Sequence, residues 1–130
     1  MNDFSIGKNV RAHYNSGIYI GEVLEDRGDK YLIKVLAVIK HPMQGDLHHP
    51  GKVEGVFFHE RKALAHYEKM NVAKPVVYSF EGAIPNYNDS LKKAVMKLKE
   101  KLTNKDTEFN QLALKRVEEL EERYYHQSYY

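Results

Sequence analysis

Residues 8–40 constrain the fold most, because they read as three antiparallel strands joined by two tight turns. Val10, Ala12 and Tyr14 alternate with Arg11 and His13, the period of a strand with one buried face. Asn15-Ser16-Gly17 supplies turn chemistry, with Gly17 the residue expected to take positive φ. Residues 18–25 are rich in β-branched and aromatic side chains and form the second strand, within which Gly21 predicts a bulge that curls a short sheet toward a small barrel. After the turn Asp26-Arg27-Gly28-Asp29, Tyr31, Ile33 and Val35 alternate with Lys30 and Lys34. At Leu36-Ala37-Val38-Ile39 both faces become apolar, as at a strand end buried on both sides.

The next segment, 41–51, contains Pro42, Gly45, Pro50 and Gly51 and is expected to be irregular. Val53, Val56, Phe57 and Phe58 suggest a fourth strand, and residues 62–67 a fifth for which helical propensity competes. Pro75 cannot donate to a central ladder, so residues 75–80 belong on an edge or in a crossover. From Asn86 the period changes. Asn88-Asp89-Ser90 offers N-cap side chains, and Leu91, Val95, Leu98 and Leu102 fall on one helical stripe. Phe109, Ala113, Val117, Leu120 and Tyr124 form a second stripe, separated from the first by polar residues 103–106. So short a break favours an antiparallel hairpin, with one long bent helix as the alternative.

A length of 130 residues and 42% hydrophobic content suit one domain with a helical extension. The net charge of +2 does not demand a polyanionic partner. With no cysteine, disulfides, thiolate metal sites and thiol nucleophiles drop out together. The opening residues lack a basic region followed by an apolar one, and no run of about 18 apolar residues occurs, so a soluble intracellular chain is expected.

No G-x-S-x-G, P-loop or G-x-G-x-x-G pattern is present, and His59-Glu60-Arg61-Lys62-Ala63 has alanine where a zincin needs its second histidine. No acid and base pair stands out, so no catalytic residue is proposed. The loop His41-Pro42-Met43-Gln44-Gly45-Asp46-Leu47-His48-His49-Pro50 is the most distinctive stretch. A catalytic zinc needs three converging ligands, which adjacent histidines seldom supply, so a recognition or structural loop is the better reading and no metal or cofactor is expected. Arg27-Gly28-Asp29 spells an adhesion tripeptide that a reverse turn explains. Tyr14, Tyr19, Tyr31 and Tyr67, with Arg11 and Lys34, could make an aromatic and basic surface, but core packing is the expected fate of most of them. Residues 91–102 carry five lysines against Glu100, and residues 108–123 three basic against five acidic side chains. Either the helices pair their charges or the lysine face docks an acidic partner.

Taken together, residues 10–14 and 17–23, the Gln44-Gly45-Asp46-Leu47-His48 loop and residues 58–64 resemble the kinase-associated protein B family of endospore-forming bacteria. That resemblance implies an α+β fold, a small SH3-like antiparallel β-barrel over residues 1–82 followed by a helical extension over 83–130. It further implies a non-enzymatic accessory protein assisting a KinB-type sensor histidine kinase in the sporulation phosphorelay. The family name includes "lipoprotein", but a sequence without cysteine does not carry the lipid anchor over, and membrane proximity is expected only through a partner. A sensor kinase or phosphorelay protein is the expected partner. The candidate contacts are Gln44, Asp46, His48 and His49 in the loop and Lys92, Lys93 and Lys97 on the first helix, chosen for loop position and charge. A nucleic-acid or ribosome-associated small barrel is the alternative, and pairing of two copies through the helices is a further one.

Overall fold

A computed structural model describes residues 3–45 and 58–126. Five strands, β1 (Asn9–Tyr14), β2 (Gly17–Asp26), β3 (Lys30–Lys40), β4 (Lys69–Ala73) and β5 (Val77–Ser79), form one antiparallel sheet in the order β4-β3-β2-β1-β5. Among the described residues the ladder has two edges and does not close, so what is described of the expected barrel is an open sheet. Helices α1 (Tyr87–Thr103) and α2 (Glu108–Leu120) follow.

The first hairpin turns on two residues. Tyr14 pairs with Gly17, and Asn15 and Ser16 take φ of 46° and 65°, the double positive φ that matches strand twist in a two-residue hairpin. Gly17 does not carry the positive φ. It is required instead because a Cβ there would lie 2.8 Å from the Tyr19 hydroxyl. The bulge expected at Gly21 is present, where the β2–β3 register shifts between Ile20 and Gly21. A Cβ at Gly21 would meet Ile33 Cγ2 at 2.3 Å, so the crossing of the two strands has no room for a side chain.

Two expectations change, and the edge placement of residues 75–80 is met by β5. Residues 62–67 form neither strand nor helix, and β4 lies immediately after them, where Met70 and Val72 are buried between exposed Lys69, Asn71 and Ala73. Pro75 sits in a 3-10 turn, Lys74–Val76, which leads into the edge strand β5 on β1. The α1 cap is Asn86, whose side chain accepts from the Asp89 N–H at 3.1 Å, while Ser90 lies inside the helix. The proposed fourth strand at 53–57 lies outside the described residues, and Phe58 is irregular.

The helices form a hairpin. Thr107 caps α2 separately, Lys99 of α1 pairs with Glu121 just beyond α2, and Leu98 and Phe109 line one hollow at the turn end of the pair. A single core cluster runs from Val10, Tyr19, Ile33 and Val35 in the sheet to Leu91, Val95, Val117 and Leu120 in the helices. Beyond Leu120 the chain makes a π-helical turn, Glu121–Tyr125. The wider turn moves the apolar stripe on by one residue, so Tyr125 is buried and Tyr124, expected on the stripe, is 46% exposed.

Candidate functional site

Where β3 ends the chain enters a tightly bonded junction. His41 is buried; its Nδ1 donates to the Pro42 carbonyl at 2.8 Å, which leaves Nε2 to accept from the Tyr125 hydroxyl at 2.8 Å. The same hydroxyl accepts from the Ala63 N–H at 2.8 Å. Burial drives the His41 pKa down to about 4 against weaker upward pulls from the Pro42 carbonyl and the Glu121 carboxylate, so the imidazole is neutral near pH 7. Burial likewise raises the pKa of the Tyr125 phenol.

Among the described residues, 61–64 have no strand partner, and side chains satisfy their backbone instead. Gln44 accepts from the Arg61 N–H at 2.8 Å and donates to the Arg61 carbonyl at 2.9 Å. Tyr19 accepts from the Leu64 N–H at 3.3 Å, and Tyr87 donates to the Leu64 carbonyl. Arg61 in turn donates to the carbonyls of Met43 and Gly45. Gln44, expected from its place in a Pro- and Gly-rich loop to contact a partner, is 4% exposed here and acts as an internal brace. Asp46, His48 and His49 lie outside the described residues.

Above this junction a groove runs between the end of β3 and α1. Two adjoining hollows of about 370 and 120 Å³ share Ile39, Ala94 and Lys97, and a third of about 280 Å³ continues from Met43, Leu98 and Lys101 to Phe109 at the helix hairpin. Its floor is apolar. Lys93, Lys97 and Lys101 recur every four residues along one rim, joined by Lys40 from the strand and Lys105 beyond α1. Among the described residues Asp89 is the one carboxylate in the lining. Among the described residues these five lysines make no ion pair, whereas Lys8, Lys34, Lys74 and Lys99 each face a carboxylate.

The structure thus brings Lys93 and Lys97 together on the groove, and leaves Lys92 exposed on α1 outside its lining. The lysines of residues 91–102 were visible in the sequence as a charge excess, without the every-fourth spacing that the groove selects from them. Ile39, Lys40 and Met43 carried no such signal, because only tertiary packing sets the end of β3 beside α1. Among the described residues no three His, Asp or Glu side chains gather as a metal site, and no helix is long and apolar enough to cross a membrane.

An open five-stranded antiparallel sheet backed by a helical hairpin, with a basic-rimmed apolar groove at their junction, defines a small α+β protein. The profile of the family Kinase associated protein B matches residues 14–125, and the chain belongs to that family. It is 41% identical over 125 residues to Kinase-associated lipoprotein B of Bacillus subtilis (strain 168), covering 96% of this chain and 98% of the relative. The fold matches the crystal structure of kinase-associated protein B from Bacillus cereus with a TM-score of 0.80 at 35% identity, over 94% of this chain and 98% of that one. The family's name points to a role beside a kinase and to an accessory, not a catalyst.

Proposed function

We propose that this protein is a non-enzymatic accessory of a sensor histidine kinase that feeds the sporulation phosphorelay, and that the groove between β3 and α1 is where it meets its partner. Membership of a kinase-associated family supports the kinase. The observation that carries the surface is the row of five lysines that, among the described residues, make no ion pair, above an apolar floor: burying those cations without carboxylates to meet them is costly, and a protein partner can supply both the carboxylates and the apolar counterface. In this reading any approach to the membrane comes through the kinase.

Autophosphorylation of the purified cytoplasmic part of the cognate sensor kinase, with and without this protein, tests the reading. A saturable change in rate, matched by binding in calorimetry, is the expected result. Absence of both, with binding of single-stranded RNA that disappears steeply as salt rises, would instead establish the nucleic-acid reading.

A further inference from the structure

The groove has a length, a charge spacing and a floor, and together they describe an occupant. Along α1 the lining runs from Asp89 to Lys101, about 18 Å at 1.5 Å per residue, the length of a three-turn helix. Lys93, Lys97 and Lys101 repeat every four residues, about 6 Å apart, which is also the repeat of carboxylates placed at i, i+4 and i+8 on a helix lying alongside. Ile39, Met43, Ala94 and Leu98 below them call for an apolar face on the same ligand.

We infer that the groove takes an acidic amphipathic helix of the partner protein. Its apolar face lies on Ile39, Met43, Ala94 and Leu98, and its carboxylates pair with Lys93, Lys97 and Lys101. The inference rests on the accessory reading above and adds the chemistry of the contact. No bond within the described residues has to break for those lysines to engage, since none of them is committed to a carboxylate. A nucleic-acid strand fits less well. Among the described residues the hollows beside β3 have no Phe, Tyr or Trp in their lining, and the one ring there, His41, is buried with both nitrogens bonded, so bases would find no stacking platform there. A membrane fits less well too, because a bilayer surface cannot enter a slot between a helix and a sheet edge.

The probe is a fluorescein-labelled 14-residue peptide with leucines on one helical face and glutamates at i, i+4 spacing on the other. A scrambled peptide of equal composition, a 12-nucleotide single-stranded RNA and phosphatidylglycerol vesicles run beside it. The patterned peptide is expected to bind best, with amide shifts confined to residues 38–43 and 89–105. The triple variant K93Q/K97Q/K101Q is expected to weaken it at least tenfold, and K30Q/K69Q/K115Q, an equal loss of exposed charge elsewhere, to leave it within twofold. Equal binding of the scrambled peptide, shifts outside the groove, or binding to RNA or vesicles alone would overturn the inference.

Calorimetry of both triple variants with the kinase fragment separates the two claims. Kinase binding lost in K93Q/K97Q/K101Q alone supports the groove. Kinase binding retained in that variant overturns the groove while the accessory reading stands. If the wild-type chain does not bind the kinase at all, the accessory reading falls and the groove stands or falls on the peptide result.

Discussion

One hydroxyl decides more of this structure than its size suggests. Tyr125 OH donates to His41 Nε2 and accepts from Ala63 N–H, each at 2.8 Å, so a single atom satisfies two buried groups on different segments. Removing it in Tyr125→Phe leaves both groups without that partner, and each unsatisfied buried group costs about 1–3 kcal/mol. The expected loss in urea unfolding is therefore about 2–6 kcal/mol. Tyr124→Phe is the control: Tyr124 is 46% exposed, its ring rests under the Lys62 ammonium at 4.2 Å, and the change should stay within about 0.5 kcal/mol. Equal effects of the two substitutions would remove the junction from this account. Gln44 belongs to the same scale. Its one amide does for Arg61 what a neighbouring strand would do, which is why a polar residue in a loop is buried here.

At the scale of elements, β1 to β3 and both helices were legible because their periods run unbroken for several residues and their turns are chemically marked. β4 was not, since five residues with two apolar positions, Met70 and Val72, give little period to read. Residues 61–64 were not legible either, because their hydrogen-bond partners, Tyr19, Gln44 and Tyr87, are spread across the chain. At the groove, the helix lysines could be read from charge alone, whereas Ile39, Lys40 and Met43 join them only through packing. The tail failed for a definable reason. A strict helical period continues from Leu120 to Tyr124, but the π-helical turn Glu121–Tyr125 accommodates one further residue and presents Tyr125. Deleting Glu122, an exposed residue of that turn, should therefore let an ordinary α-helical turn deliver the same tyrosine to His41. The expected result is a folded protein within about 1 kcal/mol of wild type, since an exposed deletion that preserves the buried contacts has little to lose. Inserting alanine after Leu120 rotates the tyrosine away from His41 and should destabilise as much as Tyr125→Phe. A deletion as damaging as the insertion would show that the turn itself, and not the position it gives Tyr125, is what the fold requires.

At the scale of the whole molecule, the His41 junction ties the end of β3, the segment at Ala63 and the chain beyond α2 into one unit, and its protonation state should register in global stability. The folded pKa of His41 is depressed to about 4 from 6.5, because burial disfavours the imidazolium and outweighs the Pro42 carbonyl and the Glu121 carboxylate, which favour it. Above pH 6.5 the imidazole is neutral in both folded and unfolded chains, and the stability associated with the junction is fully present. Between pH 6.5 and about 4 the unfolded chain binds a proton that the folded one refuses, so stability falls with falling pH; below about 4 both states are protonated and this contribution is gone. The shift is equivalent to about 3 kcal/mol, an order-of-magnitude figure. His41→Gln removes the titration while keeping a polar side chain beside Tyr125, so the variant should be less stable at pH 7 yet lose about 3 kcal/mol less than wild type between pH 7 and pH 4. Urea unfolding at half-unit pH intervals on both proteins gives the difference directly. Parallel curves would mean that His41 titrates alike in the folded and unfolded chains, and that its ring is not held neutral by the junction.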